Sequence, residues 1–268
     1  MKSVLLHVTQ DQACENRLQI ALDLVREFGG HLTCCQVVPF EIPSPGDFYG
    51  MGASSLLPVL KEDAEKLRET SEQRLRREGI PYDWQFGFGM PETHLAQHAA
   101  LADVIVAGPY DPAAQAGPSQ LVGWLAIHAR TPVLVPSPDH AGLDVDGPVL
   151  VAWNGSPEAG RAVRGALPVL RRSAQVVVAS AVQQEDRARL PSLAVMEYLS
   201  RHGVSAELRE LPQGGEDVGD MLKGAARECG ATLMVQGAYG HSRLSQMIFG
   251  GVTHRMLKKV ELSLLLAH

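Results

Sequence analysis

The chain has 268 residues, 45% hydrophobic and 20% charged, with a formal net charge of -6. An acidic balance without any Lys/Arg-rich run argues against a broad nucleic-acid surface, and no apolar stretch approaches the roughly 18 residues of a membrane span, so neither nucleic acid nor membrane is an expected partner. Cys14, Cys34, Cys35 and Cys229 form no CxxC, and the first residues read directly as a strand rather than as a signal peptide; reduced, buried cysteines and a cytoplasmic location are expected.

Residues 3–8 are a continuous apolar run, the pattern of a parallel strand buried on both faces. The helix that follows places Leu18, Ala21, Leu22, Val25 and Phe28 on one face and stops at Gly29-Gly30. Next come a strand over 31–38, a helix around 56–78, a strand over 82–88, a helix over 91–101, a strand within Ala102-Asp-Val-Ile-Val-Ala-Gly-Pro109 and a last strand over 132–136. The same series then repeats. A strand over 148–153 leads into a helix with Ser156 as cap, Pro157 at its first position and Glu158 at its positive end. Its apolar face carries Ala159, Ala162, Val163, Ala166, Leu167 and Leu170. A strand over 175–181, a helix over 190–202, a strand over 204–211 and a helix over 218–229 follow. The fourth strand, within Ala231-Thr-Leu-Met-Val-Gln-Gly-Ala238, matches the pattern in the first half, and a helix over 252–259 and a strand over 262–267 close the chain.

Each half therefore alternates strand and helix. This predicts an α/β chain of two tandem Rossmann-like domains, each a five-stranded parallel sheet of order 3-2-1-4-5 with helices on both faces. The domains are expected at 1–138 and 147–268, joined by a linker over 137–148 rich in Pro, Gly and Asp. The first half also holds a Pro/Gly-rich insertion, Phe40–Leu60, which reads as a lid, a packing arm or a disordered loop, with an arm over the partner domain favoured; the second half has only the short Gln183–Arg189 there.

The stretch with the most chemistry is Gly237-Ala-Tyr-Gly240-His-Ser-Arg-Leu-Ser-Gln-Met-Ile-Phe-Gly250-Gly251-Val-Thr253. It runs from a buried strand into a helix at the point where the strand order reverses, the usual ligand crevice of an open α/β sheet. Gly237 and Gly240 allow close backbone approach. Gly250 and Gly251 present bare N–H groups at a helix start, which suits phosphate. Thr253 adds a hydroxyl in the first turn, and His241, Ser242 and Arg243 are polar groups able to reach phosphate or ribose oxygens.

This stretch resembles the universal stress protein signature: Gly, two residues, Gly, nine residues, Gly, then Ser or Thr. Gly237, Gly240 and Gly250 match it, and Gly251 stands where the family usually has Ser or Thr. At the end of the preceding first strand, Ala152 and Trp153 lead to Asn154, which stands where the family commonly has an Asp on the base or ribose. The resemblance implies ATP, or ADP or AMP, with Mg²⁺, held in the second domain by these residues with Gln236 and Val252, and with the backbone near Ser180 and Ala181 on adenine. It further implies an unidentified protein partner in a stress response and pairing of the last strands, here as an intramolecular pseudo-dimer that is free to form a homodimer. In the first half Asp111 replaces the second glycine and only Gly123 is available for the third, so that domain reads as degenerate; Thr9-Gln-Asp11 at its strand end is polar but unaccompanied.

Other chemistry is weaker. His94 and His98, four apart with Glu92 nearby, have metal-ligand spacing but no third ligand. Cys34 and Cys35 are adjacent in a strand and point to opposite faces. Trp124 and Trp153 are read as packing residues. There is no GxxxxGK loop and no nucleophile elbow, so a fast enzyme is not expected; slow ATP hydrolysis or self-phosphorylation would fall to Ser242 or Thr253. The departures at Asn154 and Gly251 also keep a second reading, a nucleotide-independent scaffold or small-molecule carrier.

Overall fold

A computed structural model describes residues 1–39, 51–109, 119–181, 189–212, 217–240 and 251–268, with only the backbone of 51–57 and 181. The first half runs β1 (Ser3–Val8), α1 (Cys14–Phe28), β2 (His31–Val38), α2 (Met51–Glu78), β3 (Tyr82–Phe88), α3 (Pro91–Ala99), β4 (Val104–Val106), α4 (Gln120–His128) and β5 (Val133–Val135). The second runs β6 (Val149–Trp153), α5 (Pro157–Leu170), β7 (Val176–Ala181), α6 (Ser192–Arg201), β8 (Ala206–Leu211), α7 (Val218–Glu228), β9 (Leu233–Gly237), α8 (Gly251–Lys258) and β10 (Ser263–Ala267).

The strands form one sheet of order β3-β2-β1-β4-β5-β10-β9-β6-β7-β8. Each half has the expected 3-2-1-4-5 order, and its strands pair in parallel. The halves meet where β5 and β10 pair antiparallel, Leu264 opposite Val135 and Leu266 opposite Val133. The last strand of each half thus covers the edge of the other, removing two exposed edges. Ser137 ties the junction: its N–H donates to Ser263 Oγ (3.2 Å) and its hydroxyl to the Val260 carbonyl (3.1 Å). The linker is packed too, with Leu143 and Val145 in the core and Arg172 bridging Asp146 (3.0 Å) and Glu27 (2.7 Å).

Apolar alternation along the strands splits the core into two layers. One face lies under α1 and α2 in the first half and α5 and α6 in the second; the other lies under α3, α4, α7 and α8. Cys34 and Cys35 fall into opposite layers, and all four cysteines are free. Two readings need correction. Residues 51–60 of the insertion are helix, since α2 starts at Met51 with Pro58 inside it; residues 40–50 lie outside the described set. Trp124 is 36% exposed and stacks on His128, with ring centroids 4.4 Å apart, because α4 turns that side chain to solvent.

His7, on β1, is buried with Nε2 unpartnered, and burial, helped by the Arg17 charge, lowers its pKa to about 3. The unfolded chain takes up this proton below about pH 6.5, whereas the folded chain holds it off until about pH 3. Stability should therefore fall as pH drops from 6.5 toward 3 and level below. Urea midpoints at pH 7, 5 and 4 check this, and His7→Leu should flatten that part of the slope.

Candidate functional site

The carboxyl ends of β6 and β9 lie side by side, Ala152 opposite Gln236. Between them and α5, the local chain is shaped by hydrogen bonds near the end of β6. Asn154 is exposed; its Oδ1 accepts from Ser156 N–H (3.1 Å), closing an Asx turn, and its carbonyl accepts from Arg189 Nη1 (3.4 Å). Gly155 has φ 74°, and Leu190 N–H donates to its carbonyl (3.0 Å), so residues 189–190 lie against this turn. Ser156 caps α5 by accepting from Ala159 N–H (3.2 Å).

The end of β9 packs directly on the first turn of α5. A Cβ on Gly237 would lie 2.6 Å from Ala159 N and 2.8 Å from the Glu158 carbonyl carbon, so close strand–helix contact is itself a reason for glycine there. Gly237→Ala must push backbone against backbone and should cost about 1–3 kcal/mol, measurable as a lower urea midpoint. Tyr239 then takes a left-handed conformation, φ 57°, a strained arrangement for a side-chain residue and one that gathers at ligand sites. Gly240 is different: among the described residues its added Cβ would meet only Glu158 Oε2, at 3.5 Å, and one on Gly251 would meet nothing within 4 Å. Among the described residues, neither glycine is held by packing.

At the carboxyl ends of β6 and β9, buried polar groups go unanswered. Gln236 is 3% exposed, and neither its Oε1 nor its Nε2 has a hydrogen-bond partner; Trp153 Nε1 and Glu158 Oε2 are also buried without one. Met234 and Ala238, two residues either side of Gln236, pack in the layer with Met256 and Leu257 of α8, so strand alternation turns the Gln236 side chain toward the α7–α8 face. Such groups each cost about 1–3 kcal/mol when left unpaired. Ser180 is buried and satisfied, accepting from Ser192 Oγ (2.9 Å). Val252 is half-buried, while Thr253 is buried on the core side of α8 with Met256 and Leu257. The structure thus brings together Ala152, Trp153, Asn154, Gln236, Gly237 and Gly240; His241, Ser242, Arg243 and Gly250 lie outside the described residues.

The corresponding place in the first half is filled. Arg17 of α1 is wholly buried, with Nε donating to the His7 carbonyl (3.1 Å), Nη2 to the Thr9 carbonyl (3.2 Å) and Nη1 to Asp11 Oδ2 (2.9 Å). The other oxygen of Asp11 accepts from Ala13 N–H (2.8 Å). A Cβ on Gly108 would overlap Arg17 Nη1. Asp11 is therefore accompanied, contrary to the sequence reading: a cation on the helix's buried side answers it. That signal was present, since Arg17 falls in line with Ala21 and Leu24 on α1, a buried row. Gly123 sits inside α4 rather than at its start, so it cannot supply the third glycine of a cradle; Asp111 lies outside the described residues.

Elsewhere, His94 Nε2 contacts the Phe88 carbonyl (3.1 Å), and among the described residues no three metal-ligating side chains cluster. A cavity of about 520 Å³ lies at the opposite end of the sheet, floored by Met234, Met256 and Leu264 and rimmed by Lys223, Arg227 and Glu261. Among the described residues no helix is long and apolar enough to cross a membrane.

Residues 147–268 match the model of the universal stress protein family. No curated protein matches the sequence. Among solved structures, a universal stress protein from Archaeoglobus fulgidus DSM 4304 is similar over 99% of this chain and 97% of its own, with TM-score 0.75 at 17% identity. A protein of unknown function from Pseudomonas aeruginosa PAO1 is similar over 100% of this chain and 92% of its own, with TM-score 0.61 at 18% identity. At these identities the likeness is one of fold. Residues 147–268 are therefore a domain of the universal stress protein family, and the whole chain carries the fold of two such domains in tandem.

Proposed function

We propose that this protein binds one adenine nucleotide, ATP or its products ADP and AMP, in the second domain, and that occupancy biases which protein partner it engages in a stress response. The observation that carries the reading is the contrast between the two strand-end crevices. In the first, Arg17 fills the strand end and pairs with Asp11 and with the carbonyls of His7 and Thr9. In the second, Glu158 Oε2 stays unpaired beside Gly240, and at the ends of β6 and β9 Trp153 Nε1 and the Gln236 amide, on opposite faces of the sheet, are buried without partners. A polar ligand is what would pair these atoms. The bare N–H groups at the start of α8 favour its phosphates, and Asn154 offers neutral hydrogen bonding where a charged residue is usual in the family.

Calorimetry of the full chain with ATP and Mg²⁺ tests this: saturable heat with one site per chain is expected, and a flat titration of folded protein at millimolar ATP sinks it. The second reading, a small-molecule carrier, is favoured by the cavity between α7, α8 and the linker. Native mass spectrometry separates the two, since a co-purified adenine nucleotide supports the first and an unrelated ligand the second.

A further inference from the structure

Among the described residues at this crevice, Glu158 carries a charge of the wrong sign for a phosphate. It sits in the first turn of α5, 3% exposed. Its Oε1 is 3.7 Å from Arg161 Nη1, on a side chain that is 46% exposed, and its Oε2 has no hydrogen-bond partner. That bare oxygen lies against the turn between Gly237 and Gly240, 3.5 Å from where a Gly240 side chain would begin. An anion cradled by this turn would therefore meet a buried carboxylate a few ångströms away, in surroundings where screening by water is weak.

We propose that Glu158 makes the second domain a site for divalent-cation complexes of phosphate ligands rather than for free phosphate anions. The carboxylate contributes one oxygen, directly or through water, to an ion whose other ligands are phosphate oxygens and water. One carboxylate suffices: magnesium is commonly held by one or two carboxylates together with substrate phosphates, keeping several waters. This agrees with the lack of any cluster of three metal-ligating side chains among the described residues. With the ion in place, Glu158 turns from a repulsive neighbour into an anchor. Without it, the site discriminates against the same nucleotide.

The inference rests on nucleotide binding by the second domain, and calorimetry separates the two claims. ATP is titrated into the full chain with Mg²⁺ and again with EDTA. The wild type should bind at least about tenfold more tightly with Mg²⁺, and Glu158→Gln, which keeps shape and removes charge, should reduce that ratio to within about threefold, chiefly by tighter binding in EDTA. Equal wild-type affinity in both buffers, or an undiminished ratio in Glu158→Gln, overturns the inference and leaves nucleotide binding standing. No binding in either buffer overturns both. A measurement that needs no variant is the water-proton relaxation of Mn²⁺-ATP, which should be enhanced on adding wild-type protein; nucleotide binding without that enhancement overturns the inference.

Discussion

Arg17→Met should destabilise the first domain by about 3–5 kcal/mol, the usual cost of stranding one member of a buried ion pair. The variant removes the guanidinium that answers Asp11 and the carbonyls of His7 and Thr9, leaving a carboxylate with a side-chain exposure of 0% without its counter-charge. Urea unfolding followed by tryptophan fluorescence reads the loss as an early transition. The paired variant Arg17→Met with Asp11→Leu should recover much of it, because removing both charges removes the stranded one. A loss below about 1 kcal/mol in the single variant would mean that water reaches Asp11, so that the first crevice is open rather than filled.

The second large effect is on binding. Gly240→Val should abolish measurable ATP affinity, a loss of about 100-fold or more, while changing stability by no more than about 1 kcal/mol. The reason is space: among the described residues a Cβ there meets only Glu158 Oε2, at 3.5 Å, and the glycine's φ is not in the left-handed region. Gly237→Ala should do the opposite, lowering stability through contact with α5. Calorimetry and urea unfolding of the two variants side by side tell a ligand-facing glycine from a packing one. Binding unaffected by Gly240→Val would place the nucleotide elsewhere.

Most of the fold could be read from the sequence because apolar runs and helical faces alternate so regularly. Ser156, Pro157 and the buried face of α5 fall where capping and periodicity predict, and the repeated Val104–Val106 and Leu233–Gly237 patterns identify the paired fourth strands. Local pattern could not show what depends on contact between elements. Gly237 reads as a ligand glycine, yet its backbone abuts α5, a fact created only when β9 is laid beside β6. Glu158 reads as a charge favouring the helix dipole, and nothing near it in sequence indicates that its second oxygen would be buried without a partner. Asp11 and Arg17 are six residues apart, across the β1–α1 turn, and their pairing emerges only when α1 packs on the sheet. The unsatisfied amide of Gln236 is likewise invisible in a strand that otherwise reads as apolar.

The most direct measurement is a structure of the full chain determined with ATP and Mg²⁺. The nucleotide should lie over the carboxyl ends of β6 and β9, with phosphates against Gly240 and Gly251 and with the first crevice still occupied by Arg17. Nucleotide seated instead in the cavity beside Met256 and Arg227, or a second-domain crevice closed by its own side chains, would contradict it.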